Sequence, residues 1–359
     1  MIPLRLRSEC SRSLAPFVVR ISYGAGNGEN EASLSHEEPG LLDYQAKPGD
    51  FRVRGVTHED ITGDVLLIDP QRQIAHRLIR AASPHNTFLI TEQCDQLCLM
   101  CSQPPKTHHE DMFAHFLTAA QLAPSAAQIG LSGGEPLLHK EALFGFIDAV
   151  AAKRSDLSFH ILTNGQHFEI SDLPWLRKHR SRLLWGVPIY SNVPAVHDEI
   201  VRKPGAFAQL SDNLSLLGLA GAALELRTVV MKQNATGLLR LADFISRHLP
   251  FAATWAIMQM ERIGYGRMNW SRCFFDSSED FTELGAAIDL MRARRQSVTL
   301  YNFPLCTVPT AFREHAAQSI SDWKQKYLKD CEPCSMRSRC AGFFEWYREE
   351  DGFMGIHPQ

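Results

Sequence analysis

Three cysteines, Cys94, Cys98 and Cys101, fall within eight residues of the stretch TEQCDQLCLMCSQ, Thr91 to Gln103, with spacing C-x3-C-x2-C. Thiolates that close can face one metal centre from a single loop. A 4Fe-4S cluster ordinarily takes four cysteines, so a three-cysteine loop leaves one iron open to a ligand that is not protein. The same triplet, completed by His108 or His109, can instead hold a structural zinc, which takes four nitrogen or sulfur ligands. One strand and one helix later comes QIGLSGGEPLL, Gln128 to Leu138. Its apolar Ile129 and Leu131 run into Gly133, Gly134, Glu135 and Pro136, a buried strand ending in a tight loop. Two glycines there let bare backbone approach a ligand, and Pro136 stops the strand ladder. A second set, Cys306 and then Cys331-x2-Cys334-x5-Cys340, offers four thiolates with no open position. Alone it suits zinc or a complete 4Fe-4S cluster. Cys273 reads as a buried inert thiol or a hydrogen donor, and Cys10 has no assignable role.

These loops need a frame. From Asn86 onward apolar strands alternate with amphipathic helices. The strands expected are Thr87 to Thr91, Gln128 to Ser132, Leu157 to Leu162, Leu184 to Tyr190, Leu224 to Val230 and Ala253 to Met258. Helices are expected over Lys140 to Ala152, Ala206 to Leu219 and Leu238 to Leu249, the last stopped by Pro250. Such alternation implies parallel strands with right-handed crossovers, and ligands gather at the carboxyl ends of those strands. Both the cysteine loop and GGEP stand at such ends. Residues 1–85 read as a separate β-rich region. Strands are expected at Phe17 to Ser22 and, on either side of a turn at Asp69 and Pro70, within Asp64 to Arg80. Gly24 to Gly40 has the composition of a mobile loop. The region is expected to cap the barrel mouth, or else to grip a peptide along a sheet edge.

Composition narrows the partners. In 359 residues, 37 Lys plus Arg against 40 Asp plus Glu leave a formal charge of -3, no field for nucleic acid or an anionic membrane. No apolar run approaches the about 18 residues that span a bilayer, and Leu14 to Val19 is broken by Arg20, so a cytoplasmic protein is expected. Seven of the nine cysteines lie in the two sets above, which favours metal ligation over disulfides in a reducing compartment.

With the C-x3-C-x2-C loop after the first core strand and GGEP after the second, the chain resembles the radical S-adenosylmethionine (SAM) superfamily. Met100 stands where that family more often carries an aromatic residue. The resemblance implies a partial (β/α)6 TIM-like barrel over residues 86–296, with a cysteine-rich extension over 297–359. It implies that the open iron binds the amino and carboxylate groups of SAM, and that Gly133, Gly134 and Glu135 meet the methionine amine. Asn164, in the Thr163-Asn164-Gly165 end of the third strand, is then a polar contact to the ribose. The run SNVPAVHDEIVRKPGAF resembles peptide-modifying members, with Ser191 as a SAM-carboxylate contact and His197 and Asp198 as structural caps. Arg227 on the fifth strand pairs either with that carboxylate or with an acid inside the barrel. Beside such a core the four C-terminal cysteines are similar to a one-cluster auxiliary extension holding a second 4Fe-4S cluster.

Whole phrases narrow the likeness further. NTFLITEQCDQLCLMCSQPPK (Asn86 to Lys106), NFPLCTVPT (Asn302 to Thr310), SISDWKQKY (Ser319 to Tyr327) and CAGFFEWY (Cys340 to Tyr347) resemble the His-Xaa-Ser system radical SAM maturases. That resemblance implies a ribosomally made precursor peptide with His-Xaa-Ser repeats as substrate, a paired radical SAM protein, and an external electron donor. Reductive cleavage of SAM would yield a 5'-deoxyadenosyl radical that takes hydrogen from an unreactive carbon. The alternatives are a radical SAM enzyme acting on a small molecule, and a non-enzymatic iron-sulfur or zinc protein.

Overall fold

The computed structural model describes residues 2–12, 14–24, 26 and 28–359. Its N-terminal part contains β1 (Arg5–Cys10), β2 (Phe17–Ile21), β3 (Glu31–Glu38), β4 (Leu41–Ala46), β5 (Phe51–Arg54), the single turn α1 (His58–Ile61), β6 (Val65–Asp69) and β7 (Ile74–Ile79). The seven strands close into a barrel in the order β1-β5-β4-β3-β2-β6-β7. Val19, Ile21, Leu42, Val53, Leu66 and Ile68 fill it. A buried ion pair ties it: Arg77 Nε donates to Asp64 Oδ2 at 2.6 Å and Arg77 Nη2 to Asp60 O at 2.7 Å.

One expectation for this region changes. Much of Gly24 to Gly40 is strand: β3 pairs along β4, and its polar composition fits the exposure of Ser35 to Glu38. Ala25 and Asn27, also in that stretch, lie outside the described residues. The barrel also packs against the core from one side. Val18, Val65, Leu67 and Ile79 pack with Phe116, Ala119 and Ala120 of α2 (Phe113–Leu122), on the outer flank of the sheet. It reaches the rim through Arg72 and Glu110, 3.4 Å apart.

The core sheet is parallel, in the order β14-β13-β12-β11-β10-β9-β8. Its strands are β8 (Asn86–Thr91), β9 (Gln128–Gly133), β10 (Ser158–Leu162), β11 (Leu183–Pro188), β12 (Ala223–Val229), β13 (Thr254–Met258) and β14 (Val298–Tyr301). The six expected strands are present, and Val298–Tyr301 adds a seventh by pairing with β13. Between them run α3 (Lys140–Lys153), α4 (Leu173–His179), α5 (Pro194–Val201), α6 (Ala206–Ala220), α7 (Leu238–His248), α8 (Gly264–Met268), α9 (Trp270–Cys273) and α10 (Thr282–Ala293). Phe159, Trp185 and Trp255 are almost wholly buried on the helix-facing side. The opposite side turns His160, Glu225, Arg227 and Tyr301 inward, as the period of two along a strand requires.

After β14 the chain has short helical turns and one small ladder, β15 (Gln325–Lys326) with β16 (Phe343–Phe344). This segment covers the edge of β14: Ala317 N donates to Leu300 O at 2.9 Å and Asn302 N to Ser319 Oγ at 2.8 Å. Across the open side of the sheet, the Arg80 guanidinium forks onto Asp322 at 2.6 and 2.9 Å. Among the described residues no helix is long and apolar enough to cross a membrane.

Candidate functional site

The first cysteine loop leaves β8 and is held by its main chain. Leu97 N donates to Val201 O at 3.2 Å and Leu99 N to Ile200 O at 2.9 Å, both at the end of α5. Leu99 and Met100 are buried against Tyr190, Ile200, Val201 and Met260, so Met100 fills apolar space where an aromatic residue is the commoner choice of the resembled family. The polar side of the loop is anchored by Asp95. It accepts from Asn164 Nδ2 at 2.7 Å and Lys203 Nζ at 2.5 Å, with His167 Nε2 at 3.3 Å. Burial raises the Asp95 pKa, but the hydrogen bonds from His167 and Lys203 outweigh it and hold the carboxyl well below the usual range. Asn164 therefore braces the cysteine loop through this acid. Sequence reasoning missed Asp95, His167 and Lys203, although the first lies between two ligand candidates.

GGEP has a structural task as well. Gly134 N donates to Thr91 O at 2.8 Å and Glu135 N to Gln93 O at 2.7 Å, so the two strand-end loops are stitched together. A Cβ on Gly133, at φ +152°, would lie 2.1 Å from Thr91 O, and one on Gly134 would lie 2.0 Å from Gln93 O. The main chain that the glycines admit is the cysteine loop's own. Gly134→Ala is expected to destabilise the protein by about 3 kcal/mol and to lower iron uptake, since the clash is with backbone; urea titration and iron assay check both. Glu135 is fully buried rather than facing the mouth. Its Oε1 accepts from Thr163 Oγ1 at 2.6 Å and Leu137 N at 2.8 Å, its Oε2 from Asn164 N at 2.5 Å. Burial pushes its pKa up against those three donors.

Ser191 follows β11 and accepts from Val193 N at 3.0 Å, leaving its hydroxyl proton available. Arg227 meets an acid on its own strand: it pairs with Glu225, and its Nη2 lies 3.2 Å from Met258 Sδ. Tyr301 Oη and His160 Nε2 also approach Glu225, at 3.4 Å each. Of the two pairings expected for Arg227, this geometry contains the one inside the barrel. Asp198 caps α6, accepting from Gly205 N at 2.7 Å and Phe207 N at 2.8 Å. His197 is buried and its Nδ1 accepts from Tyr190 N at 3.3 Å; burial lowers its pKa to about 4, with nearby Asp198 opposing. Between the unfolded value near 6.5 and about 4 the unfolded chain binds the proton and the folded chain does not, so stability falls as pH drops through that window. In metal-free protein, His197→Gln is expected to remove about 3 kcal/mol of that loss, read from urea midpoints between pH 7 and 4.

Burial pushes the Cys94 thiol up to about 11 and Cys98 higher still, and the other thiols of the triad add to the shift at Cys98. Three thiols in an apolar loop ionise readily only beside a strong cation, which is what a metal centre supplies. His109, a possible zinc ligand, is engaged elsewhere: it stacks on His139 at 3.7 Å and its Nδ1 lies 3.1 Å from Thr91 Oγ1. Among the described residues no three His, Cys, Asp or Glu side chains converge closely enough to hold a single metal ion. In the extension, Cys306, Cys331, Cys334 and Cys340 line one pocket with Tyr327 and Phe343. Main-chain N–H groups already point at the sulfurs: Leu305 N and Gly342 N at 3.3 Å from Cys340 Sγ, Gln359 N at 3.4 Å from Cys334 Sγ. Such N–H···S bonds favour ligated thiolates and tune the potential of a cluster. Cys273 is buried beside Gln233, 3.5 Å away, and belongs to neither set.

No protein-family model matches the chain. Over 154 residues, 42% of this chain, it is 26% identical to the antilisterial bacteriocin subtilosin biosynthesis protein AlbA of Bacillus subtilis, spanning 34% of that protein. Crystal structures of Streptococcus suis SuiB align with 62% of the chain at a TM-score of 0.50. The form bound to S-adenosylmethionine is 13% identical, and the form bound to precursor peptide SuiA 14%. The chain spans about a third of the first relative's length and about half of SuiB. What it shares with SuiB is the fold: the α/β architecture of a partial parallel barrel, here with an N-terminal β-barrel and a cysteine-containing C-terminal region.

Proposed function

We propose that the chain is a radical SAM enzyme that modifies a ribosomally made peptide. The observation that carries this reading is the stitching of the Cys94–Cys101 loop to the GGEP loop at the carboxyl ends of neighbouring parallel strands. The fold shared with SuiB and the likeness to AlbA, one crystallised with a precursor peptide and the other named for bacteriocin biosynthesis, support the peptide class. Cys94, Cys98 and Cys101 would hold a 4Fe-4S cluster with one open iron for SAM. When bound, the cluster supplies the electron that splits SAM to methionine and a 5'-deoxyadenosyl radical. The chain's own part is orientation and exclusion of water: Asp95 and its partners fix the loop, and the Ser191 hydroxyl can meet a carboxylate. Cys306, Cys331, Cys334 and Cys340 would hold an auxiliary 4Fe-4S cluster.

The finer reading, drawn from the sequence phrases, is a His-Xaa-Ser precursor as substrate, with a paired radical SAM protein, an external electron donor and a cytoplasmic setting. The test is anaerobic reconstitution followed by iron counting and a reductant-dependent assay for 5'-deoxyadenosine. About eight irons per chain with SAM cleavage, and a mass change in a His-Xaa-Ser peptide, are expected. Zinc in place of iron ends the enzyme reading, and SAM cleavage with no change in the peptide ends the substrate reading.

A further inference from the structure

The helical pair α8–α9 touches the first cysteine loop and, on its other side, the C-terminal region that carries the second cysteine set. On one side it holds the first loop by its main chain: Tyr265 N donates to Cys101 O at 2.8 Å and Asn269 Nδ2 to Leu99 O at 2.9 Å. Gly264, at φ +57°, lets α8 start so close that a Cβ would meet Cys101 O at 2.6 Å. On the other side the C-terminal region grips the same pair. Trp270 Nε1 donates to Asp351 O at 2.7 Å, and Arg262 pairs with Asp351 while lying 5.6 Å over the Trp270 ring. Lys324 and Glu261 add a contact at 3.5 Å.

Rings continue the path to the second site. Trp270 stacks on Phe274 at 4.2 Å, Phe274 meets Phe353 at 5.2 Å, Phe353 meets Tyr347 at 5.9 Å, and Tyr347 meets Phe343 at 4.7 Å. Phe343 lines the four-cysteine cavity, and Cys98 and Cys331 pack against this one buried cluster. A close-packed interior is stiff, so order imposed at one end is felt at the other.

We propose that Asn269 and Trp270 are positioning residues that couple the two cysteine sites. A metal group in the C-terminal cavity steadies the segment carrying Tyr347, Asp351 and Phe353 on Trp270, and α8–α9 passes that order to the Leu97–Cys101 loop. The coupling rests on the reading that both sites hold clusters. It is reciprocal, as any linkage between two binding equilibria must be.

The test compares reconstituted wild type with Cys334→Ala, Asn269→Ala and the double variant. Three quantities are read: iron content, hydrogen exchange of residues 96–102, and the change that SAM makes in the electron paramagnetic resonance spectrum of the first cluster. In Cys334→Ala about four irons remain, and exchange of the loop is expected to quicken about two- to tenfold, the range one hydrogen bond supports. Asn269→Ala alone, with both clusters present, gives the same acceleration and a broadened SAM-dependent signal; adding Cys334→Ala to it changes exchange no further. Trp270→Phe keeps an aromatic ring, though a smaller one, and loses the N–H to Asp351 O; it is expected to quicken exchange like Asn269→Ala and gives the reading that does not depend on the folding of Cys334→Ala. Unchanged or additive exchange in variants with the expected iron content overturns the coupling and leaves the two-cluster reading intact. Only about four irons in wild type overturns that reading and the coupling with it.

Discussion

In Cys98→Ala the iron of the first site is expected to fall from about four atoms to near zero, and reductant-dependent 5'-deoxyadenosine to the level of a protein-free control. Two remaining thiolates cannot hold a cubane that already has one open iron. Folding should survive: Cys98 packs at the margin of the Leu99, Met100 and Tyr190 cluster, and the bonds from Leu97 N and Leu99 N do not involve its side chain. Cys340→Ala is the contrast, losing iron from the extension while keeping SAM cleavage. Iron assay and chromatography of the nucleoside check both. Retention of SAM cleavage by Cys98→Ala would remove the triad from the mechanism.

Glu135→Ala is expected to cost about 4 kcal/mol of folding free energy, because two buried donors and one half-buried donor lose their acceptor. Those donors are Thr163 Oγ1, Asn164 N and Leu137 N, and they tie β9 to the end of β10. Glu135→Gln should lose less, since one side-chain oxygen remains, but its NH2 must oppose one of the donors. Urea midpoints of metal-free protein at neutral pH give the comparison. A loss below about 1 kcal/mol in Glu135→Ala would mean that the carboxylate is not the brace described.

How much of this was legible beforehand follows from where the information sits. The parallel core was readable because strands buried on the helix side are apolar runs, and Leu238, Leu241 and Ile245 mark the inner face of α7 at helical spacing. The place of Val298–Tyr301 as the seventh strand depends on pairing with β13 some forty residues earlier, which no local pattern announces. The N-terminal barrel was half hidden, since a rim strand such as β3 buries few side chains and carries a loop's composition. At the site, the cysteines were legible because ligand spacing is local. The Asp95–Asn164–His167–Lys203 network was not, because its members come from the ends of β8 and β10 and from the turn between α5 and α6. Arg227 and Glu225, two residues apart on one strand, share a face, and that alternation was the available signal for their pairing.

Arg80 and Asp322 bind each other although they lie 242 positions apart in the chain. One leads into β8 and the other belongs to the segment that seals β14, so a single charged clasp spans the two free margins of an unclosed parallel cylinder. A protease cut or deletion at either terminus would therefore loosen the opposite one as well, and fragments trimmed to the strand-and-helix core should need both flanks restored together.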